Sequence, residues 1–318
     1  MPRAAASDPA AATTTRGGLS RAGLAFAVGA YGLWGFLPIY FLALAPSGPV
    51  EIVAWRIVLS LVFCAFLIAV TRSWRSFRRL LRDRRVVLTM GVAGSLIFVN
   101  WLTYVFATLS GQVVEAALGY FINPIVTVFL GVLVLRERLT VMQWTAVGIS
   151  IVAVVVLAFG YGQLPWIALV LAFSFGLYGL IKKRVGGRVD AVAGLTLETA
   201  WLAPVASVLL IVVASTTGLT MGTVSTWHTV LLLAAGAVTA VPLLLFAAAA
   251  RRLPLTTMGF IQYFAPFIQF LVGVFVLQEP MPLERWIGFG LVWVALAILT
   301  VDLVRGARAA RRVAIEPV

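Results

Sequence analysis

Arg56 and Glu198 are charged side chains set inside apolar stretches of a 318-residue chain. An arginine at the centre of a bilayer costs about 2.5–3.5 kcal/mol, less if its stem lifts the guanidinium toward the headgroups. Arg56 follows Glu51 by five residues, about 7.5 Å along a helix. It either reaches the outer headgroups or pairs with Glu115, or it is a cavity cation that meets an anionic group of a ligand. Glu198 stands about one turn inside its own apolar run. It either carries a coupling proton or is a carboxylate at a water boundary.

Pro124 and Pro266 each remove a backbone donor inside an apolar run, which frees the carbonyls of Tyr120 and Gln262. Asn123 falls about 12 Å from the outer end of its run, near the middle of a bilayer. Paired kinks at that depth point to a central binding site; bending for packing is the alternative. Asn100, Gln262 and Gln269 are amides suited to interhelical hydrogen bonds or to ligand contact. Trp34, Tyr31, Tyr120 and Tyr178 supply flat rings, either for an aromatic wall or for packing. The candidate ligand contacts are therefore Tyr120, Asn123, Gln262, Trp34, Tyr178, Arg56 and Asn100, with Glu198 a weaker candidate for coupling. One Cys (Cys64) and one His (His228) exclude a disulfide framework and a His/Cys metal cluster, so neither metal nor cofactor is expected.

Such residues need elements that hold them in lipid. Hydrophobic residues make up 62% and charged residues 11% of the chain, against about 45–50% and about 25% in soluble domains. Strands are excluded, because runs such as 125–135 and 147–159 are continuous rather than alternating. The predicted fold is an all-α integral membrane protein with ten transmembrane helices. Their approximate limits are 22–44, 51–70, 86–109, 115–135, 140–159, 164–181, 193–214, 229–250, 255–277 and 284–303. Only the short segment 110–114 separates the third from the fourth. Residues 1–21 read as a disordered cytoplasmic tail and 304–318 as a basic cytoplasmic tail.

The net charge of +13 would suit a nucleic-acid binder, but the charges lie between the apolar runs, so no nucleic-acid partner is expected. With the N-terminus inside, 22 of the 24 Lys and Arg fall on the cytoplasmic side; Arg285 is outside and Arg56 lies within a span. Both termini should be cytoplasmic. The segment 73–86 carries Trp74, Phe77, Leu80 and Leu81 at helical spacing among arginines. It is either a helix on the inner membrane surface or a topology-setting loop.

A constant offset of 142 relates Gly94 to Gly236, Pro124 to Pro266, Gly131 to Gly273, Leu135 to Leu277, Glu137 to Glu279, Trp144 to Trp286 and Gly148 to Gly290. At offset 144, the run from Gly32 to Gly35 matches the run from Gly176 to Gly179. The chain then divides into five-helix units at 22–159 and 160–303. Five is odd, so the second unit enters from the opposite side, an inverted repeat of the kind that supports alternating access.

The run Ala116, Ala117, Leu118, Gly119, Tyr120, Phe121, Ile122, Asn123, Pro124 resembles the EamA-type drug/metabolite transporters, and within them the RarD subfamily. Tyr31 to Gly35, Pro38, Tyr40, Glu51, Arg56, Asn100, Trp101, Glu198, Trp201 and Gln262 extend the likeness over nearly the whole membrane region. The resemblance implies two five-helix EamA repeats, a bacterial inner membrane and small-molecule transport. A secondary transporter, expected to export metabolites or drugs by alternating access, is the leading function. A channel or lipid scramblase is the second, and a membrane-embedded enzyme the third. An enzyme would need more His, Asp, Glu and Cys than the spans hold, so the chain is read as a non-enzyme. No phosphate-binding Gly-x-x-x-x-Gly-Lys-Ser/Thr loop occurs, so hydrolysis within this chain cannot drive transport. The expected partners are a small-molecule substrate and the lipid bilayer; a homodimer is compatible with them.

Overall fold

A computed structural model describes residues 20–135, 139–161, 164–185, 189–253 and 255–313. The described chain is helical throughout, and local sequence explains where helices start and stop. The first expected span forms α1 (Arg21–Gly35) and α2 (Leu37–Leu42), and Ser20 caps α1 by accepting from the Gly23 amide. Pro49 opens α3 (Pro49–Val70) at a position where its missing N–H is harmless. Next come α4 (Trp74–Arg82) and α5 (Arg84–Leu109), the latter capped by Asp83. Gly111, at φ 66°, turns the chain back into α6 (Val113–Leu135), so the two spans stay separate. Then follow α7 (Val141–Tyr161), α8 (Trp166–Val185) and α9 (Ala191–Thr216). After them come α10 (Thr226–Leu233), α11 (Ala235–Ala250), α12 (Leu255–Ile261) and α13 (Phe264–Leu271). A π-helical turn (Val272–Val276) and α14 (Leu283–Val313) complete the order.

Among the described residues, seven helical segments are long and apolar enough to cross a membrane, with shorter apolar helices at Trp166–Lys182 and Phe264–Val276. Large apolar side chains stay uncovered along them, for example Phe159 at 85% and Ile211 at 67% exposure. Water would not tolerate such a surface; lipid does.

Three expected spans are interrupted: 22–44 at Phe36, 229–250 at Ala234 and 255–277 at Gln262 and Tyr263. The last span passes its expected end near 303, because Ala and Arg are good helix formers and carry α14 to Val313. The 73–86 segment forms α4, which inserts Phe77 into a cluster with Ile68, Val86, Met90 and Leu197 while its arginines stay exposed.

The helix contacts come in reciprocal sets. Helix α3 packs on α9, α7 on α14 and α6 on α13. The contact of α1 with α11 is matched by α8 with α5, that of α6 with α8 by α13 with α1, and that of α5 with α9 by α11 with α3. Exchanging each helix for its counterpart in the other half leaves this set unchanged. Burial follows the same register: every buried position of α3 except Ile68 is buried again in α9, 142 residues later.

Candidate functional site

Helix α3 brings Arg56 into the interior, where it is 6% exposed. Its guanidinium stands 4.1 Å over the Trp101 ring of α5 and 5.6 Å from the Phe41 ring of α2. Nε donates to Thr239 Oγ1 of α11 at 2.8 Å. Tyr40, Tyr104 and Tyr120 also lie within electrostatic reach. Among the described residues no carboxylate stands within 4 Å of Arg56. Glu115 accepts instead from the Ile167 amide at the start of α8. Arg56 thus does not pair with Glu115; it packs against Phe41 of α2, Trp101 of α5 and Thr239 of α11.

Beside it, Tyr120 OH donates to Asn100 Oδ1 at 2.9 Å, and Asn100 Nδ2 is shared between Leu171 O and Ser174 Oγ. Tyr104 stacks edge-on with Tyr120 at 5.6 Å, and its buried hydroxyl has no partner among the described residues. Rings continue through Phe175, 5.9 Å from Tyr120 and 5.8 Å from Tyr178.

Tyr178 leads to the second charged centre. Glu198 is 2% exposed and pairs with Lys182 at 2.8 Å, with the Tyr178 hydroxyl 3.4 Å from both carboxylate oxygens. Glu198 is thus buried itself, while the Lys182 side chain that α8 brings to it stays partly exposed, at 30%.

Three of the candidates fall elsewhere. Trp34 lies on α1 among Tyr31 and Phe246, at 5.3 and 6.0 Å, and its carbonyl accepts from Gln269. Asn123 donates to Ala172 O at 3.1 Å, tying α6 to α8. Gln262 sits in the break between α12 and α13, next to an apolar groove of about 660 Å³ lined by Phe121, Ile261, Tyr263, Phe264 and Trp293. That groove contains neither charged centre. The expected pair of kinks is unequal: the helix breaks near Pro266, whereas α6 runs unbroken through Pro124.

The other carboxylates hold the scaffold. Glu51 accepts from the Thr220 amide, and Glu279 accepts from Val113 and Val114 at the start of α6. Burial pushes the Glu279 carboxyl above its ordinary range, while those two amides pull it back. Ser47 bonds to His228 and Thr220 in the same loop cluster. Glu137, Arg136, Arg138, Arg188 and most of both tails lie outside the described residues. Among the described residues, no group of three His, Cys, Asp or Glu is placed to hold a metal.

Sequence reasoning did not single out Tyr104, Thr239 or Lys182. It also missed that the offset of 142 carries Arg56 onto Glu198. That signal was present in the numbering and needed only the α3–α9 burial register to expose it.

The apolar helices and polar interior define a multi-pass membrane protein. A model of the EamA-like transporter family matches the chain twice, over residues 21–159 and 165–301. The chain is 48% identical over 291 residues to "Protein RarD" of Streptomyces exfoliatus, covering 92% of each. It is 40% identical over 285 residues to "Protein RarD" of Escherichia coli K12, covering 90% of this chain and 96% of that one. A protein of Vibrio cholerae named "Uncharacterized transporter" is 40% identical over 294 residues, covering 92% and 96%. A solved crystal structure, 20% identical, has a TM-score of 0.57 and covers 89% of this chain and 99% of that one, a likeness of fold alone. The chain belongs to the EamA-like transporter family, in its RarD subfamily. The family is one of transporters and some relatives are named as such, in agreement with a non-enzyme.

Proposed function

We propose that this membrane transporter is a secondary exporter of small metabolites or drugs, working by alternating access in a bacterial inner membrane. Ten spans form two inverted five-helix repeats, residues 22–159 and 160–303, with both termini cytoplasmic. The reciprocal helix contacts carry the proposal: they are what two copies of one unit, related by a two-fold axis, would make. The α3–α9 pair lies on that axis, and rocking of the halves about it would expose the interior to each side in turn. Tyr120, Asn100 and Arg56 form the ligand contacts at one end of the ring ladder, with Tyr178 at the other. Asn123, Gln262 and Trp34 line the path only after rearrangement, since Asn123 and the Trp34 backbone are engaged in helix–helix bonds here.

The test is flux. Purified protein in proteoliposomes, given a solute found by a thermal-shift screen of metabolites and drugs, should show saturable uptake that trans solute accelerates. Flux that rises linearly with concentration and ignores trans solute would indicate a channel and sink the proposal.

A further inference from the structure

Arg56 and Glu198 occupy the same position of the two halves and are both nearly sealed from the surface, at 6% and 2% exposure. The fold treats them differently. Glu198 has a cation at 2.8 Å and a phenol beside it, all supplied by α8. Arg56 has one neutral acceptor, Thr239, on Nε, while its two terminal nitrogens meet no protein acceptor among the described residues. A buried charge without a counter-charge is unfavourable, and this fold shows at Glu198 how it neutralises one when no ligand is involved. Among the described residues Arg56 has only the Trp101 and Phe41 rings where Glu198 has a counter-charge, so an anion brought by a ligand would complete it.

The surroundings say what kind. In the same neighbourhood Tyr104 holds a buried hydroxyl with no partner among the described residues, a second donor available to an oxyanion. Tyr40 and Tyr120 are only half-buried and offer ring surface, and Phe41 and Trp101 add apolar walls. An arginine fork suits a carboxylate in bidentate geometry, and rings suit a flat apolar body.

We infer that the solute is an organic carboxylate with a flat aromatic body, its carboxylate held by Arg56 with Tyr104 and its ring lying against Tyr40 and Tyr120. This rests on the transport reading and narrows its substrate class.

The full-length protein, purified in detergent, is titrated with phenylacetate and indole-3-acetate and with their neutral amides. The carboxylates should raise the melting temperature and the amides should not. In Arg56→Gln the carboxylate effect should vanish. In Thr239→Val, which frees the guanidinium without removing it, affinity should fall about threefold to tenfold, as expected for one lost hydrogen bond. Equal stabilisation by amides, equal stabilisation by chloride or phosphate, or no binding by either carboxylate would overturn the inference. If Arg56→Gln does not fold, unchanged affinity in Thr239→Val overturns it. Saturable flux of a neutral solute without carboxylate binding would refute the inference and leave the transporter standing. Arg56-dependent binding with no flux would do the reverse.

Discussion

At Arg56 a lysine keeps the charge but loses the planar fork, the Thr239 bond from Nε and the stacking on Trp101. Arg56→Lys should therefore weaken carboxylate binding about tenfold, or about 1.4 kcal/mol, read by titration against wild type; full affinity would mean that charge alone suffices. Asn100 differs from Asn123 in what its loss leaves behind. Asn100 is 1% exposed and bonds to Leu171, Ser174 and Tyr120. Asn100→Ala removes the acceptor of the Tyr120 hydroxyl and the amide bonded to Leu171 and Ser174, and should lower stability by about 1–3 kcal/mol. Asn123 makes a single bond from a half-buried site, so Asn123→Ala should lower it by about 0.5–1.5 kcal/mol. Thermal unfolding of both variants checks the order, and an Asn123 effect equal to that of Asn100 would contradict it.

Helix ends and helix crossings decide stability at the next scale. Glu279 is the acceptor for two buried amides at the start of α6, so Glu279→Ala leaves both without a partner. The expected loss is about 1–3 kcal/mol per orphaned group, measured as a fall in melting temperature. At the crossings, Gly94 meets the Glu198 backbone, where a Cβ would stand 3.1 Å from its carbonyl. Gly236, its counterpart, lies against the Leu59 carbonyl so closely that a Cβ would collide with it. Gly236→Ala should thus be more damaging than Gly94→Ala, which should fall within the roughly 1–3 kcal/mol of ordinary overpacking. The comparison needs only folded yield and melting point; equal tolerance of both would refute it.

Across the whole molecule, the charge distribution sets orientation and packing sets which surface positions a reagent can reach. Thr223 and Ala45 are exposed in loops that the proposed topology puts outside, whereas Ser47 is 3% exposed and closed off by His228 and Thr220. Cysteines at Thr223 and Ala45, in a variant lacking Cys64, should react with an impermeant thiol reagent added to intact cells. A cysteine at Ser47 should react slowly if at all, and one at Arg79, on exposed α4, should react only after lysis. Labelling of the Arg79 position in intact cells would invert the proposed topology.

The sequence by itself determined the solvent of the fold, several helix starts and the family. These depend on composition, on caps such as Asp83 and Asp190, and on motif residues, all local properties of the chain. It also contained the offset of 142 at which Gly, Pro and Trp recur in phase, and the family model matches the chain twice. It did not determine which polar residues meet. Arg56 lies 45 residues from Trp101 and 183 from Thr239, and Glu198 is neutralised by a lysine from another helix. Nor could it tell that α6 would pass straight through Pro124 while its counterpart breaks at Gln262, since neighbouring helices, more than the proline alone, set the bend. Side-chain partnership across helices depends on crossing angle and rotation, and a lipid solvent gives those no simple hydrophobic signature. Only the packed bundle decided that one of two equivalent buried charges is answered from within and the other is left open.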